Sequence, residues 1–561
     1  MATLALAAVG AAAGSALLPS GISLFGAALS GAALGSQIGA LAGSYVDNAL
    51  FGAGTGRAAS GPRLQAVHLT TSAEGAPVPR IYGRARIGGQ VIWADDILEE
   101  KVTSSSGGGK GVGASGGSKT VEYRYSASFA VALCEGVISG IGRVWADGRE
   151  LDLTQIAYRL HTGSEDQSAD TLISAKLGAD AAPAFRGTAY ILFQDMALAD
   201  FGNRIPQLSF EVSRPVDRFG ERVRGVVMIP GSGEFVYATE PVSQTFGLGR
   251  SRSENVHTLA GDTDWEVAVD QMQAALPNAA AVSLVVSWFG TDLRAGACEL
   301  KPGVERTNKT TEPFAWSVAG VARADAYVVS TREERPAYGG TPSDQTVVAA
   351  IEDLKARGLD VILTPFILMD VPEDNSLPDP YGSAAQGAYP WRGRITCHPA
   401  AGQAGTADKT AAAAAQIAAF VGTAMPAQFA LSGKSVVYTG PNEWSLRRMV
   451  LHHAFLAKAA GGVAAFVIGS ELRGLTTVRS SASDYPFVAA LVALAADVKA
   501  VLGSGTKVTY AADWSEYFGH QPGDGTGDVY FHLDPLWASA AIDAVAIDCY
   551  WPLADWRDEA G

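Results

Sequence analysis

The last 340 residues alternate apolar runs of strand type with longer helical runs, and this rhythm constrains the fold more than any other feature. Helical runs lie at Thr346 to Arg357, Lys409 to Phe420, Trp444 to Ala460 and Tyr485 to Leu502. The strand-type runs are Ala281 to Trp288, Asp325 to Ser330, Leu359 to Leu368, Val463 to Ile468, Lys507 to Ala511 and Ala541 to Ile547. Such alternation predicts βα units around a parallel sheet.

The length of this region indicates a barrel rather than an open sheet. Residues 281 to 561 span 281 positions, and a (β/α)₈ barrel takes about 250. The Pro/Gly-rich stretch Asp370 to Asp408 takes up the length of two further units, so only six strands are recognised. We therefore predict an incomplete (β/α)₈ TIM-like barrel at 225–561 and expect its remaining units after Gly561, as in a chain truncated at its C-terminus.

One carboxylate stands out, because catalytic groups of such barrels lie where strands end. The run Phe466 to Ser470 leads directly into Glu471, and by our count it belongs to the fourth strand. Glycoside hydrolysis commonly uses two carboxyl groups, one of them a proton donor. Glu471 is therefore a candidate acid/base. The alternative is that it pairs with Arg473 or another cation and ties the loop to the barrel rim.

Aromatic and acidic residues follow the next two strands and are candidates for sugar binding. Trp514 follows the fifth strand, and Asp548, Tyr550 and Trp551 follow the sixth. Aromatic rings stack on sugar faces and carboxylates hold hydroxyls, but aromatic side chains also fill cores. Further acidic residues near strand ends have a structural interpretation as caps of helices or turns. They are Asp292, Asp370 and Asp543.

The middle of the chain, residues 58–224, has short alternating runs broken by glycine, which predict a β-rich region. Within it, residues 103–119 are almost entirely Ser, Gly, Lys and Ala. That composition packs no core and predicts a mobile loop. The expected fold class is thus multidomain, with α+β and α/β parts.

Residues 1–57 are Gly/Ala-rich and contain one acidic residue, Asp47, and one basic residue, Arg57. The cationic region of a secretory signal is missing, and a break at Pro19 to Gly21 predicts an apolar helical hairpin. Two alternatives stay open, a helix pair buried in an oligomer and membrane contact through residues 1–50. In both, small residues spaced four apart would line a helix-packing or pore face. They are Gly31, Gly35, Gly39 and Gly43.

Composition excludes several classes of protein. The net charge of −15 argues against a general nucleic-acid-coating surface. The four cysteines form no Cys-x-x-Cys pair, and His452 and His453 are adjacent rather than four residues apart. We therefore predict no metal site, and since no nucleotide-binding motif is present, we expect no cofactor.

The β-rich region resembles the tail-hub proteins of long-tailed phages, and the chain as a whole resembles the large "megatron" tail-tip proteins of gene transfer agents. The tail-hub resemblance covers roughly residues 60 to 215. It rests on Ala73 to Gly83, Gly88 to Trp93, Cys134 to Gly136, Val144 to Gly148 and Asp195 to Pro206. The segment Gly461 to Thr476 resembles the glycosidase-like barrels of the same agents.

The resemblance implies a virion protein at the tail tip or baseplate, made in the bacterial cytoplasm. It would form a homo-oligomer, a trimer, and would assemble with other hub proteins. This assembly would close the tail channel and let DNA pass without sequence-specific binding. It would also take part in host attachment and penetration. The barrel would bind or cleave a cell-surface glycan, with Glu471 as the fourth-strand acid/base and the partner carboxylate after Gly561. The alternative function is a glycoside hydrolase for peptidoglycan or capsule with accessory β-domains.

Overall fold

The protein is described here by a computed structural model, which covers residues 22–24, 27–29, 77–105, 119–214, 219–229, 231–259 and 261–550. The predictions for the glycines at 31, 35, 39 and 43, for most of the 103–119 loop and for Trp551 lie outside these residues. The chain divides into two compact units. One comprises residues 1–70, 94–128 and 195–206, and the other comprises residues 71–93, 129–194 and 207–561.

In the first unit, strand Leu98–Ser105 pairs antiparallel with the first residues of strand Lys119–Glu135. The Tyr125 hydroxyl donates to Glu99 at 2.6 Å across this pair. Two short strands, Ile22–Leu24 and Ala27–Leu29, also pair antiparallel. The rest of the segment for which an apolar helical hairpin was predicted, residues 1–57, lies outside the described residues.

The second unit begins with antiparallel strands, as the glycine-broken alternation predicts. Strand Leu208–Arg214 lies between Gly83–Gly88 and Gly140–Ala146, and the latter also pairs with Arg149–Glu150. Alternate residues of Leu208–Arg214 are buried, which is the pattern of a strand with one face on a core. Further elements of this region are the strands Gln90–Ala94, Tyr158–His161 and Thr188–Ala197 and the helices Thr171–Leu177 and Phe219–Arg222.

A parallel sheet dominates the rest of the second unit. Its strands are β1 (Gly225–Met228), β2 (Ala281–Gly290), β3 (Asp360–Met369), β4 (Ala465–Ser470), β5 (Lys507–Asp513) and β6 (Ala546–Asp548). The order of these strands in the sheet is the same as their order in the sequence, and each strand is parallel to its neighbours. This is the arrangement of a TIM-like barrel. Strand β2 is buried along nearly its whole length, as expected for a strand covered on both faces.

Helices pack on the outside of this sheet and enclose one hydrophobic core with it. They are α1 (Asp264–Ala275), α2 (Asp344–Ala356), α3 (Ala411–Val421), α4 (Leu446–Ala459) and α5 (Pro486–Leu502), with the short helices Arg473–Thr476 and Asp534–Trp537. Local chemistry sets their ends. The Thr263 and Ser445 hydroxyls accept backbone N–H groups at the starts of α1 and α4, and Gly503 ends α5 in a left-handed conformation.

The predicted strand Asp325–Ser330 is wrong as a member of the sheet. Only Tyr327–Val328 is extended there, and it pairs with Gly303–Val304 within the long connection from β2 to α2. The missed strand is β1, which is short and has its Val227 side chain 66% exposed, so its apolar pattern is weak. One strand was missed and one was wrongly included before Glu471, so the predicted number of strands up to this residue is still correct. The strand before Glu471 is the fourth of the sheet.

Small antiparallel pairs decorate the long connections of the barrel. Ser243–Thr245 pairs with both Ser251–Ser253 and Thr310–Glu312. The two-stranded pairs are Ser317–Val318 with Val321–Ala322, Thr331–Arg332 with Arg335–Pro336, and Phe429–Ser432 with Ser435–Tyr438. Leu300–Lys301 pairs with β2. Among the described residues, no helix combines the length and apolar character needed to cross a membrane.

Candidate functional site

Glu471 lies immediately after β4, and its backbone is strained. Its φ angle is 53°, in the left-handed region that side chains other than glycine rarely adopt. A hydrogen bond of 2.8 Å from its backbone N–H to the Ala511 carbonyl beside β5 holds this conformation. The residue is only 3% exposed. Strain of this kind at a strand end marks a candidate functional residue.

Two neighbouring side chains clamp the Glu471 carboxylate. The Trp391 indole N–H donates to Oε2 at 2.9 Å, and Nη2 of Arg392 lies 2.7 Å from the same oxygen. Both members of the ion pair are buried, with side-chain exposures of 8% and 4%. These donors fix the position of the carboxyl group. The glutamate thus has a cation as its partner, and that cation is Arg392 rather than Arg473.

Arg392 is held from three further directions. Its Nε donates to the Ser470 carbonyl and its Nη2 donates to the Ser470 hydroxyl, each at 2.8 Å. Its guanidinium carbon lies 3.8 Å from the centre of the Phe366 ring on β3. Burial lowers the pKa of Arg392, and the nearby carboxylates oppose that shift. A cation buried so fully is stable only because carboxylates and oxygen acceptors surround it.

Arg392 belongs to the 3₁₀ turn Arg392–Arg394, in the long loop between β3 and α3. Sequence reasoning assigned no role to this turn, since the loop is mainly polar and rich in proline and glycine. The available signal was the neighbouring Trp391 and Arg392, because a large aromatic residue beside a cation is unusual in such a loop.

Asp548 at the end of β6 joins the same cluster. The Ser470 hydroxyl donates to its Oδ2 at 2.7 Å, so Ser470 connects Asp548 to Arg392. Burial raises the pKa of Asp548, the Ser470 hydrogen bond and the Arg392 charge lower it, and the Glu471 charge raises it further. Two carboxyl groups from the ends of β4 and β6 therefore share one arginine, but only Glu471 contacts it directly.

The aromatic residues predicted around Glu471 are partly brought together. Tyr550 is 72% exposed. Its partial burial raises the pKa of its hydroxyl, and the charge of Glu471 raises it further. Trp514 is 44% exposed in the turn after β5. Among the contacts of the described residues, none joins Trp514 to Glu471.

The acidic residues interpreted as structural do make structural contacts. Asp370 accepts hydrogen bonds from the Tyr327 hydroxyl at 2.7 Å and from the Ser330 backbone at 2.8 Å. Asp292 pairs with Arg294 at 2.6 Å. Asp543 pairs with Lys499 at 2.6 Å and accepts the Val508 N–H at 2.7 Å. These contacts tie loops to the sheet.

A second buried glutamate, Glu516, lies in the turn after β5, and the sequence analysis gave it no role. It accepts hydrogen bonds from the Thr476 hydroxyl and from the Asp513 backbone N–H, the latter at 2.8 Å. Burial raises its pKa to about 7. A cavity of about 240 Å³ lies beside it, lined also by His532 and Trp537. The available signal was the spacing Asp513-x-x-Glu516, which forms a capping box.

The adjacent histidines of α4 have structural partners. His452 Nε2 lies 2.9 Å from Asp344, and His453 Nδ1 lies 2.7 Å from the Met449 carbonyl. Burial lowers the pKa of His453 to about 3, so this ring is neutral at physiological pH. Within the part of the chain that the structure describes, no group of three or more metal-ligating side chains occurs.

The fold and these residues define a TIM-like barrel with carboxyl groups at its strand ends. The model of the GTA TIM-barrel-like domain, where GTA denotes a gene transfer agent, matches residues 444–561. That segment contains α4 to β6 and both Glu471 and Asp548. No curated protein matches the chain.

Three solved structures show distant likeness to the chain. A chain of the virion of a native gene transfer agent particle is 24% identical, with 53% of this chain and 81% of that chain covered and a TM-score of 0.23. A GH113 β-1,4-mannanase complex is 14% identical, with coverages of 50% and 54% and a TM-score of 0.23. The β-mannanase AaManA from Alicyclobacillus acidocaldarius, in complex with ManMIm, is 17% identical, with coverages of 49% and 53% and a TM-score of 0.22. The chain thus spans about half the length of the two mannanase chains.

Proposed function

We propose that the chain is a structural protein of a phage-like particle and that its barrel binds a carbohydrate of the host cell surface. The observation that carries the proposal is the cluster of Glu471, Arg392 and Asp548 at strand ends, inside the segment that matches the GTA TIM-barrel-like domain. Carboxylates fixed beside exposed aromatic rings are suited to hold sugar hydroxyls and ring faces.

The finer proposal is a tail-tip or baseplate hub. The β-rich region would form the oligomeric ring that closes the tail channel and lets DNA pass, and the apolar N-terminal residues would take part in penetration. Support comes from the hub-like motifs of residues 60 to 215 and from the antiparallel strands that they form.

Purified particles test the particle assignment. Antibody raised against an exposed segment of the barrel, such as 520–531, should label one end of the tail in electron micrographs. Particles from cells in which the gene carries an epitope insertion there should be labelled at the same place. A chain that is present in the cells but missing from purified particles contradicts the assignment.

Glycan cleavage is the second candidate function, and the paired carboxyl groups favour it. Hydrolysis needs a protonated carboxyl to give its proton to the leaving oxygen as the C–O bond breaks. A second carboxylate attacks the sugar carbon or removes a proton from the attacking water. Glu471 and Asp548 would fill these two roles, with Trp514, Tyr550 and Trp551 as sugar-contacting rings.

Binding and cleavage are separated by one set of variants. Wild type, Glu471→Gln, Asp548→Asn and Trp514→Ala are incubated with purified peptidoglycan and with capsule, and bound protein and released sugar are measured. The control Glu373→Gln changes a 63% exposed side chain and should behave as wild type. If the barrel cleaves, loss of a proton donor should slow release by about 10²- to 10⁴-fold. Binding without release makes the barrel an adhesive domain. If the protein neither binds the glycans nor releases sugar from them, the carbohydrate proposal is contradicted.

A further inference from the structure

The two carboxyl groups of the cluster have different kinds of donor. Glu471 receives a cationic donor and an indole N–H on the same oxygen, at 2.7 Å and 2.9 Å. Asp548 receives a neutral hydroxyl, that of Ser470, at 2.7 Å. A cationic donor adds a charge–charge attraction to the hydrogen bond that a neutral donor lacks. Glu471 and Asp548 are therefore chemically similar carboxyl groups with different hydrogen-bond donors.

The Ser470 hydroxyl fixes the direction of this inequality. It accepts from Arg392 Nη2 at 2.8 Å, so its own proton points to Asp548. Asp548 is thus hydrogen-bonded to the arginine only through Ser470 among the described residues, while the charges of Arg392 and Glu471 act on it with opposite signs. Two carboxyl groups that share one site do not ionise equally.

We propose that Arg392 separates the roles of these two groups, so that Glu471 is the group that the cation holds in place and Asp548 is the group that gains and releases a proton. Arg392 is then a positioning residue that acts through both carboxyl groups. The raised pKa of Asp548, caused first by burial, agrees with this assignment. The inference rests on the proposed carbohydrate site and deepens it, because Asp548 rather than Glu471 would donate the proton in any cleavage.

The groups that face Asp548 come from each neighbouring element. Glu471 and Ser470 follow or end β4, and Arg392 lies on the loop after β3. The other groups are Asp513, which ends β5, Tyr510 within β5, and Tyr550, which follows β6. Of these, Glu471 and Arg392 exert the largest opposite charges on it among the described residues. Removing either one should therefore move the titration of Asp548, and in opposite directions.

Infrared difference spectroscopy of the full chain tests this without any sugar. A protonated carboxyl has a carbonyl band distinct from that of a carboxylate, and the band is followed across about pH 3 to 8, which brackets the ordinary carboxyl range. All variants are made in the Glu516→Gln background, because burial also raises the pKa of Glu516, to about 7, and this group would add its own band. In that background the protein should show a band that titrates above the usual aspartate pKa. The band should vanish in Asp548→Asn, persist in the exposed control Asp528→Asn, and shift to lower pH in Glu471→Gln.

Two variants keep the test decisive if Asp548→Asn fails to fold. Ser470→Ala removes the hydroxyl that favours the charged form, so the midpoint should rise, and Arg392→Lys should keep it near the wild-type value. A band that survives in Asp548→Asn, disappears in Glu471→Gln, or is unmoved in Ser470→Ala overturns the inference. If the wild-type protein binds no sugar but Asp548 titrates as described, the result counts against the proposed function alone.

Discussion

Two buried glutamates follow neighbouring strands of the barrel, and they differ in the charge of their donors. Glu471, after β4, receives Arg392 and Trp391. Among the described residues, the donors to Glu516, after β5, are neutral, namely the Thr476 hydroxyl, the Asp513 backbone N–H and, at 3.5 Å, the Tyr510 hydroxyl. Both residues are 3% exposed, so burial alone does not distinguish them.

The difference lies in the charge that each carboxyl group contacts. Nη2 of Arg392 lies 2.7 Å from Glu471 and forms an ion pair with it. No cation contacts Glu516 so closely among the described residues; burial raises its pKa to about 7, and its neutral donors and the more distant Arg473 charge only partly oppose this. A tyrosine connects the two surroundings, since the Tyr510 hydroxyl accepts the Leu472 N–H at 2.8 Å. The identity of the donor, and not the position after a strand, decides the chemistry.

Removing the cation from Glu471 should produce the largest effect. Arg392→Met leaves a buried carboxylate without its partner, and the free energy of unfolding, measured by urea titration, should fall by about 3–5 kcal/mol. Arg394→Met, on the same turn but exposed, is the matched control. The double variant Arg392→Met/Glu471→Gln should recover most of the loss. A loss no larger than that of Arg394→Met would refute the clamp.

Glu516 should make stability depend on pH in the opposite sense to an ion-paired carboxylate. Its pKa is about 7 in the folded chain, against an ordinary glutamate value of 4.5. The folded state therefore binds more protons than the unfolded state between these values, and stability falls as pH rises between them. The stabilisation is complete below the unfolded pKa and is lost by the folded pKa, about 3 kcal/mol in all.

Glu516→Gln should remove this pH-dependent part of the unfolding free energy, measured by urea titrations at several pH values through that window. The exposed control Glu373→Gln should keep the wild-type slope. An unchanged slope in Glu516→Gln would mean that Glu516 is ionised throughout and that neutral donors suffice to hold its charge.

The indole donor of the clamp should contribute less than its cation. Trp391→Phe removes the N–H that Glu471 accepts but keeps most of the ring, and Trp391 is 39% exposed, so water replaces part of the lost bond. The unfolding free energy should fall by about 1–2 kcal/mol. Trp514→Phe changes an exposed ring without this bond and should cost less. Equal costs would remove Trp391 from the clamp.

The sequence predicted the elements of the barrel better than its site. Apolar strands and capped helices have local patterns, so β2 to β5 and α2 to α5 could be recognised. Strand β1 was not recognised, and the partner of Tyr327–Val328 was wrong, because short segments obtain their pairing from distant partners. Glu471 and Asp548 were found because they follow strands. Arg392 was missed because it comes from a loop 78 residues before Ser470, which only the fold brings near.

The most direct test of the carbohydrate site is the position of a bound sugar. An oligosaccharide fragment of the glycan that the chain retains is added to the chain, and the structure of the complex is determined. A sugar hydroxyl should lie within about 3 Å of Asp548 or Glu471, with a sugar ring against Tyr550 or Trp514. A fragment bound elsewhere on the chain, with this mouth empty, would contradict the account.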